Sequence, residues 1–297
     1  MSNSISNTSI KQSGYPAILI IHIKDFERFI PNEKNFSIDF IGQSIDDCGY
    51  KERVIAIKEY ISKGVIYQVN LTNRFDFTYK GDLLTLAHSF YKRQKVPYFF
   101  SIIGDEFSII SGSMELFLSK EGVIITSKPI KGTSADKNSL FNSDKDKAEN
   151  LMITDMMRND LGRIAKTGTV KTVELFNITS YKTLFHMHST VQAVTNGAFN
   201  DIISNTFPPA SVTGTPKIKA LQIIDELEPH SRGYYCGCAG LVKTNGDFIL
   251  SVLIRTAYGR GNFLSYYAGC GIVWDSIPER EVDEMYLKVK AFFRLNQ

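Results

Sequence analysis

The side chains able to do chemistry fall in a few short stretches. The last of them, PEREVDEMYLKVKAFF, places Glu281, Glu284 and Lys288 at i, i+3 and i+7, on one face of a helix. Val282, Met285, Val289 and Phe292 form a separate apolar stripe. Two carboxylates one turn apart repel unless something positive lies between them. A hard cation such as Mg²⁺ would serve, since it takes one or two protein carboxylates with water and substrate oxygens. A solvated face of Glu–Lys pairs fits the same spacing.

Residues 144–163 bring Glu149 near the start of a second helical pattern, with Asp155, Asn159 and Asp160 further along. Asp155 falls between Met152 and Met156 and is expected to be buried and paired. Capping or structural roles are the plainer reading of these carboxylates. In KPIKGT (128–133), Lys131 would be a nucleophile if burial disfavoured its charged form, or else part of a Lys-Gly turn. SVTGTPK (211–217) sets Thr213 and Gly214 beside a helix start, as an anion site or a simple turn. Gly269 and Gly271 of AGCGIV let a backbone approach a ligand closely, or mark a bulge. His186 and His188 share a face of a strand but show no third metal ligand, which leaves hydrogen-bonding roles. There is no Walker A sequence and no G-x-G-x-x-G loop.

The elements that must position these residues mix helices and strands without regular alternation. A helix is predicted over 51–63, then a strand in VIYQVNLTNRF with Tyr67, Val69 and Leu71 on one face and Gln68, Asn70 and Thr72 on the other. A polar sheet face ordinarily meets water; a wet substrate cavity is the alternative. Residues 107–127 read as two strands joined at Glu121-Gly122. The helix at 144–163 has Ser143 as its cap, with Asp144 and Asp146 matching its dipole. Residues 168–193 read as extended, Thr215-Pro216 opens a helix, and 238–244, 247–258 and 263–273 are β-rich. The last helix starts near Pro278. This pattern predicts an α+β fold with antiparallel sheets.

The bulk composition narrows the class. With 297 residues, 43% hydrophobic and 22% charged, the chain can bury a substantial core. Residues 1–14 read as a flexible tail and 15–297 as a single domain. A net charge of +3 gives no reason to expect nucleic acid or a membrane surface. The N-terminus lacks a signal-peptide core and no apolar run is long enough to span a bilayer, so a cytoplasmic protein is expected. Cys48, Cys236, Cys238 and Cys270 match no zinc or redox spacing and read as buried thiols.

Taken in order, PIKGT, KAENLMITDMMRNDLGRI, HMHSTV, PPASVTGTPK, LIRTA, YAGCGIV and PEREVDEM resemble the chorismate-binding enzyme family over roughly residues 50–295. That family includes anthranilate, aminodeoxychorismate, isochorismate and salicylate synthases. The resemblance implies a sandwich of antiparallel sheets with outer helices and the active site in a cleft between the sheets. It implies Mg²⁺ held by Glu149 and Glu284, with Glu281 close by, gripping the ring carboxylate of chorismate. Glu115 of SMELFL matches the general acid on the departing 4-hydroxyl, a role that requires a raised pKa. His186, Thr213, Gly214, Arg255, Tyr267, Gly269, Gly271 and Lys288 match substrate-pocket positions, with Arg255 on the enolpyruvyl carboxylate.

Two positions discriminate within the family. Gln68 stands where water-adding members carry a lysine base, which argues against water as nucleophile. Lys131 matches the lysine of aminodeoxychorismate synthase component I, where anthranilate synthases have PIAGT. The implied mechanism is covalent: Lys131 attacks C2 and ammonia then displaces it at C4. Anthranilate synthase component I and a non-catalytic chorismate-binding subunit are the alternatives. Ser134-Ala135 departs from the family's usual arginine. The resemblance also implies an N-terminally shortened fold without a feedback pocket, a separate glutamine amidotransferase subunit to supply ammonia, and a place in 4-aminobenzoate and folate synthesis.

Overall fold

The structure, a computed structural model, describes residues 11–25, 34–181 and 185–295. The first ten residues of the predicted tail lie outside the described residues. Lys11 is held against Asp225, with its ammonium 3.6 Å from Oδ1.

In chain order the first elements are β1 (Phe36–Gln43), α1 (Asp47–Ser62), β2 (Gln68–Gly81), α2 (Leu83–Arg93), β3 (Tyr98–Ile103) and β4 (Ser108–Ser113). Then come β5 (Leu116–Glu121), β6 (Ile124–Lys128), β7 (Ile130–Ser134), α3 (Lys137–Asn142), α4 (Asp144–Gly162), β8 (Lys171–Ser180) and β9 (Phe185–Val194). The remainder is α5 (Phe199–Thr206), a 3₁₀ turn (Ala210–Val212), β10 (Gly214–Thr215), α6 (Lys217–Leu227), β11 (Cys238–Val242), β12 (Phe248–Val252), β13 (Thr256–Gly259), β14 (Phe263–Ile272) and α7 (Pro278–Phe293).

The strands form two antiparallel sheets. One runs β1-β2-β14-β13-β4-β3, with β10 added to β2; the other runs β11-β12-β5-β6-β9-β7, with β8 added to β9. Helices α1, α2, α6 and α7 cover the first sheet, and Phe75, Phe77, Phe90, Tyr266 and Phe292 are the large side chains sealed between them. A second core joins both sheets to α4 and α5 through Ile109, Phe117, Leu118, Met157, Val191, Ile202 and Leu250. The predicted α+β architecture is present.

Local signals explain the helices near the site. Ser143 accepts from the Asp146 N–H and starts α4, whose buried stripe is Asn150, Ile153, Thr154, Met157, Asp160 and Leu161. Asp155 lies off that stripe, so contrary to expectation it is exposed and pairs with Arg158 at 3.0 Å. Proline in the first turn of α7 suits its missing N–H, and Val282, Met285, Val289 and Phe292 form its buried side.

Other local readings are corrected. Helix α1 begins earlier than predicted, at Asp47, because Asp46 caps it. Pro216 is the cap residue of α6 rather than a residue within it, and Gly214–Thr215 pairs with β2. Gln68, Asn70 and Thr72 do not face bulk solvent: all three are buried, and Asn70 lines a cleft, the alternative to a solvated face. Cys48 is exposed, while Cys236 and Cys270 are buried.

Two breaks in the strands create the site. The 107–127 region holds three strands: β4 leaves the first sheet at Met114-Glu115 and continues as β5 in the second. The predicted β segment 247–258 is likewise two strands, passing from β12 in the second sheet to β13 in the first. The partners stay together, since β4 pairs with β13 and β5 with β12. Backbone bonds span the gap, from Val252 N to Glu115 O (3.1 Å) and Gly112 N to Arg255 O (2.9 Å). Arg255 takes φ 53° to make the turn. Each crossing therefore delivers one charged side chain, Glu115 or Arg255, between the sheets.

Candidate active site

A cleft between the sheets is lined by Glu115, Lys131, Glu149, His186, Arg255, Tyr267, Gly269, Gly271, Glu281, Glu284 and Lys288. These predicted residues come from β7, α4, β9, β14, α7 and the two crossings, and the fold brings them together.

Glu115 is 4% exposed and accepts a long bond (3.4 Å) from the Ile130 N–H. Burial pushes its carboxyl up to about 7, against the opposing pull of the Ser211 hydroxyl, the Ile130 N–H and the Lys131 charge. It is thus an acid with a proton to give near neutrality.

Lys131 is the residue after Ile130, within β7. Its ammonium lies 3.9 Å from Glu149 Oε2, with both side chains largely covered. Lys145, one turn before Glu149 on α4, reaches the other oxygen at 3.8 Å. Burial raises the Glu149 pKa and these two cations oppose it. Gly271 makes room for the lysine: a Cβ there would stand 2.3 Å from Lys131 Nζ and 2.6 Å from Gln68 Nε2. Gln68 therefore fills the space over Gly271 beside Lys131 without lining the cleft, and both polar atoms of its side chain are buried without a partner among the described residues.

Thr213 and Gly214 also stand off the cleft. The Thr213 hydroxyl donates to Pro209 O (2.8 Å), and its carbonyl accepts from Asn70 N (2.9 Å). Gly214 adopts φ 143°, and a Cβ there would sit 2.3 Å from Gln68 O, so only glycine lets β10 close on β2. Both residues hold the strand that carries Gln68.

His186 shares a 2.8 Å bond with Thr133 Oγ1. Burial first, then the Arg255 and Lys288 charges, lowers its pKa to about 3, so it faces the cleft uncharged. His188, two residues on, bonds Thr179 at 3.3 Å and does not line the cleft. The Arg255 guanidinium donates to Lys288 O. Tyr267 stacks between Tyr235 and Tyr258, both 5.3 Å away, and bonds the Tyr258 hydroxyl at 2.7 Å.

On α7, the Lys288 ammonium holds Glu284 Oε1 at 2.6 Å and Gly269 O at 2.8 Å. That charge, helped by the hydrogen bond and opposed by burial, brings Glu284 down to about 2. Ligand atoms of Glu281, Glu284 and Cys270 lie within 4.8 Å of one another. Burial pushes the Cys270 thiol well up, so the anionic donors are carboxylate oxygens, the kind a hard cation prefers. Glu149 lines the same cleft but is turned to its two lysines.

Sequence reasoning missed Asn70, Ser211, Tyr235 and Lys145, which also line the cleft. Asn70 carried a signal, since it shares the polar face of β2 with Gln68. Lys145 is one helical turn from Glu149. Nothing in the local pattern marked Ser211 or Tyr235.

The sequence profile described as chorismate binding enzyme matches residues 11–294. The chain belongs to the chorismate-binding enzymes. Among the family's curated members it is 36% identical to anthranilate synthase component 1 of Saccharolobus solfataricus over 86% of this chain and 64% of that one. It is 38% identical to aminodeoxychorismate synthase component 1 of Klebsiella aerogenes over 81% of this chain and 56% of that one. The chain thus spans a little over half the length of these relatives. Anthranilate synthase component I from Streptococcus pneumoniae has the same fold, with a TM-score of 0.79 and 28% identity over 88% of this chain and 60% of that one. A putative isochorismate synthase from Bacillus anthracis superposes with a TM-score of 0.80 at 24% identity, covering 89% and 75% of the two chains. In this chain antiparallel sheets and helices frame the cleft. No helix among the described residues is long and apolar enough to cross a membrane.

Proposed function

We propose that this chorismate-binding enzyme is an aminodeoxychorismate synthase component I, converting chorismate and ammonia to 4-amino-4-deoxychorismate. The observation that carries this reading is the pairing of a buried acid, Glu115 near 7, with an amine, Lys131, that follows its hydrogen-bond donor Ile130 in the same cleft.

The residues divide the work as follows. Arg255 and the neutral His186 bind and orient the substrate. Lys131 Nζ, as the free amine after losing its extra proton to solvent, bonds to C2 as the ring double bonds shift and the C4–O bond breaks. Glu115 gives its proton to the departing hydroxyl, which leaves as water. Ammonia then bonds to C4 while the C2–N bond breaks, and the surplus proton returns to Glu115. One difficult substitution becomes two easier ones. Glu149, Glu281 and Glu284 would hold a Mg²⁺, which when bound supplies positive charge to a substrate carboxylate. Ammonia comes from a glutamine amidotransferase partner, and the product serves 4-aminobenzoate and folate synthesis in the cytoplasm.

Anthranilate synthase is the second reading, favoured by the 36% identity to the S. solfataricus relative. Incubating the protein with chorismate, Mg²⁺ and ammonium and identifying the product by chromatography and mass decides between them. Aminodeoxychorismate supports the proposal, anthranilate selects the second reading, and no turnover even with a glutaminase points to a binding subunit.

A further inference from the structure

Asn70 lines the cleft yet belongs to none of the motifs, and its main chain is pinned on both sides. Its N–H donates to Thr213 O at 2.9 Å, and its carbonyl accepts from the Arg232 guanidinium. Arg232 is itself held by Glu228 at 2.7 and 2.9 Å, and donates to the carbonyl of Val212, another cleft residue, at 2.9 Å. A strand residue clamped this way has a fixed side-chain direction.

That direction is set by the sheet. Asn70 pairs directly with Gly271 across β2 and β14. Opposed residues in an antiparallel pair put their side chains on the same face, with Cβ atoms about 4.5–5.5 Å apart. The space where a Gly271 Cβ would be is occupied by Lys131 Nζ, with Gln68 Nε2 beside it. The Asn70 carboxamide therefore rises on the face of the sheet where Lys131 Nζ and the Gln68 amide lie. The Asn70 side chain makes one long bond among the described residues, from Nδ2 to Thr72 Oγ1 at 3.4 Å. Lys131 has Glu149 on its other side, at 3.9 Å, beyond hydrogen-bond length.

We propose that Asn70 is a positioning residue for Lys131, its side-chain carbonyl accepting from Nζ and steering the nitrogen toward the substrate. This rests on the covalent reading above and deepens it. An uncharged acceptor suits the task, because it orients an amine without holding it as an ammonium, as a carboxylate would.

The test is the covalent step itself. The protein is mixed with chorismate and Mg²⁺ without ammonia, and the Lys131 adduct (chorismate less water) is followed by intact-protein mass spectrometry. Asn70→Leu is expected to slow adduct formation at least tenfold with the chorismate KM changed less than twofold, and Asn70→Gln is expected to recover part of the rate. Asn70→Leu forming adduct at the wild-type rate overturns the proposal, as does a parallel loss of chorismate binding. Wild-type protein that makes aminodeoxychorismate while Asn70→Leu is unimpaired sinks this inference alone. Wild-type protein that forms no adduct removes the covalent reading and this inference with it.

Discussion

Glu115 and Glu284 line one cleft from two regions of the molecule, and their surroundings drive their protonation apart. Glu115 sits where a strand crosses between sheets, with a hydroxyl, an N–H and the Lys131 charge too weak together to offset its burial, so it stands at about 7. Glu284 sits on α7 with Lys288 at 2.6 Å and stands at about 2. Opposite shifts on the same side chain separate a proton donor from a permanent anion. The cause of the anion is local, an i,i+4 pair within one helix. The acid needs long-range structure, since a desolvated carboxyl requires walls from several segments.

Lys131 opposes both carboxyls electrostatically and is the proposed nucleophile, so its removal is the largest test. Lys131→Ala is expected to lower amination at C4 by about 10⁴-fold or more, the scale of losing a covalent nucleophile. Product chromatography reads this, and wild-type rates would exclude the covalent route.

Glu115→Gln is expected to cost roughly 10²- to 10⁴-fold in kcat, the usual contribution of a positioned acid. The sign of the pH dependence follows from the raised pKa. Glu115 holds its proton below about 7 and loses it as pH rises, so the wild-type rate falls on the alkaline side of about 7. The variant should lack that limb, and a limb that survives in Glu115→Gln would assign it to another group.

Glu284→Gln should leave the alkaline limb in place and weaken the Mg²⁺ response instead. The Mg²⁺ concentration giving half-maximal rate is expected to rise at least the roughly 10- to 100-fold that losing an outer metal partner costs. An unchanged Mg²⁺ titration would take Glu284 out of the metal set.

The smallest effect is expected at Ser211, whose hydroxyl pulls Glu115 down. Ser211→Ala should move the alkaline limb upward by about a unit or less, roughly 1.4 kcal/mol at most. A downward shift would mean that the hydroxyl favours the protonated form of Glu115.

The same contrast separates what could be read early from what could not. Glu281, Glu284 and Lys288 share a face because helical spacing puts them there. The cap of α4 was equally plain in Ser143 and its acidic neighbours. The polar face of β2 left its surroundings open, because alternation reports which side chains point together and not whether that side meets water or a cleft. Asp155 misled for a related reason: the buried stripe of α4 runs through Ile153, Met157 and Leu161, and Asp155 lies off it. The continuous β patterns at 107–127 and 247–258 concealed the two crossings, since a strand that changes sheets keeps its β-forming residues.

The amino-acid sequence by itself determined the chemistry on offer and its family: the collinear motifs, the helices that carry Glu149 and Glu284, and the lysine at 131. Those are properties of residue type and local spacing. Only the tertiary structure decided that Glu115 is buried beside Ile130 and Lys131, that Glu149 stands between two lysines, and that Gly271 opens a place for Lys131 with Asn70 opposite. Burial and charge proximity depend on segments far apart in the chain, and the two crossings between sheets are what bring those segments to one cleft.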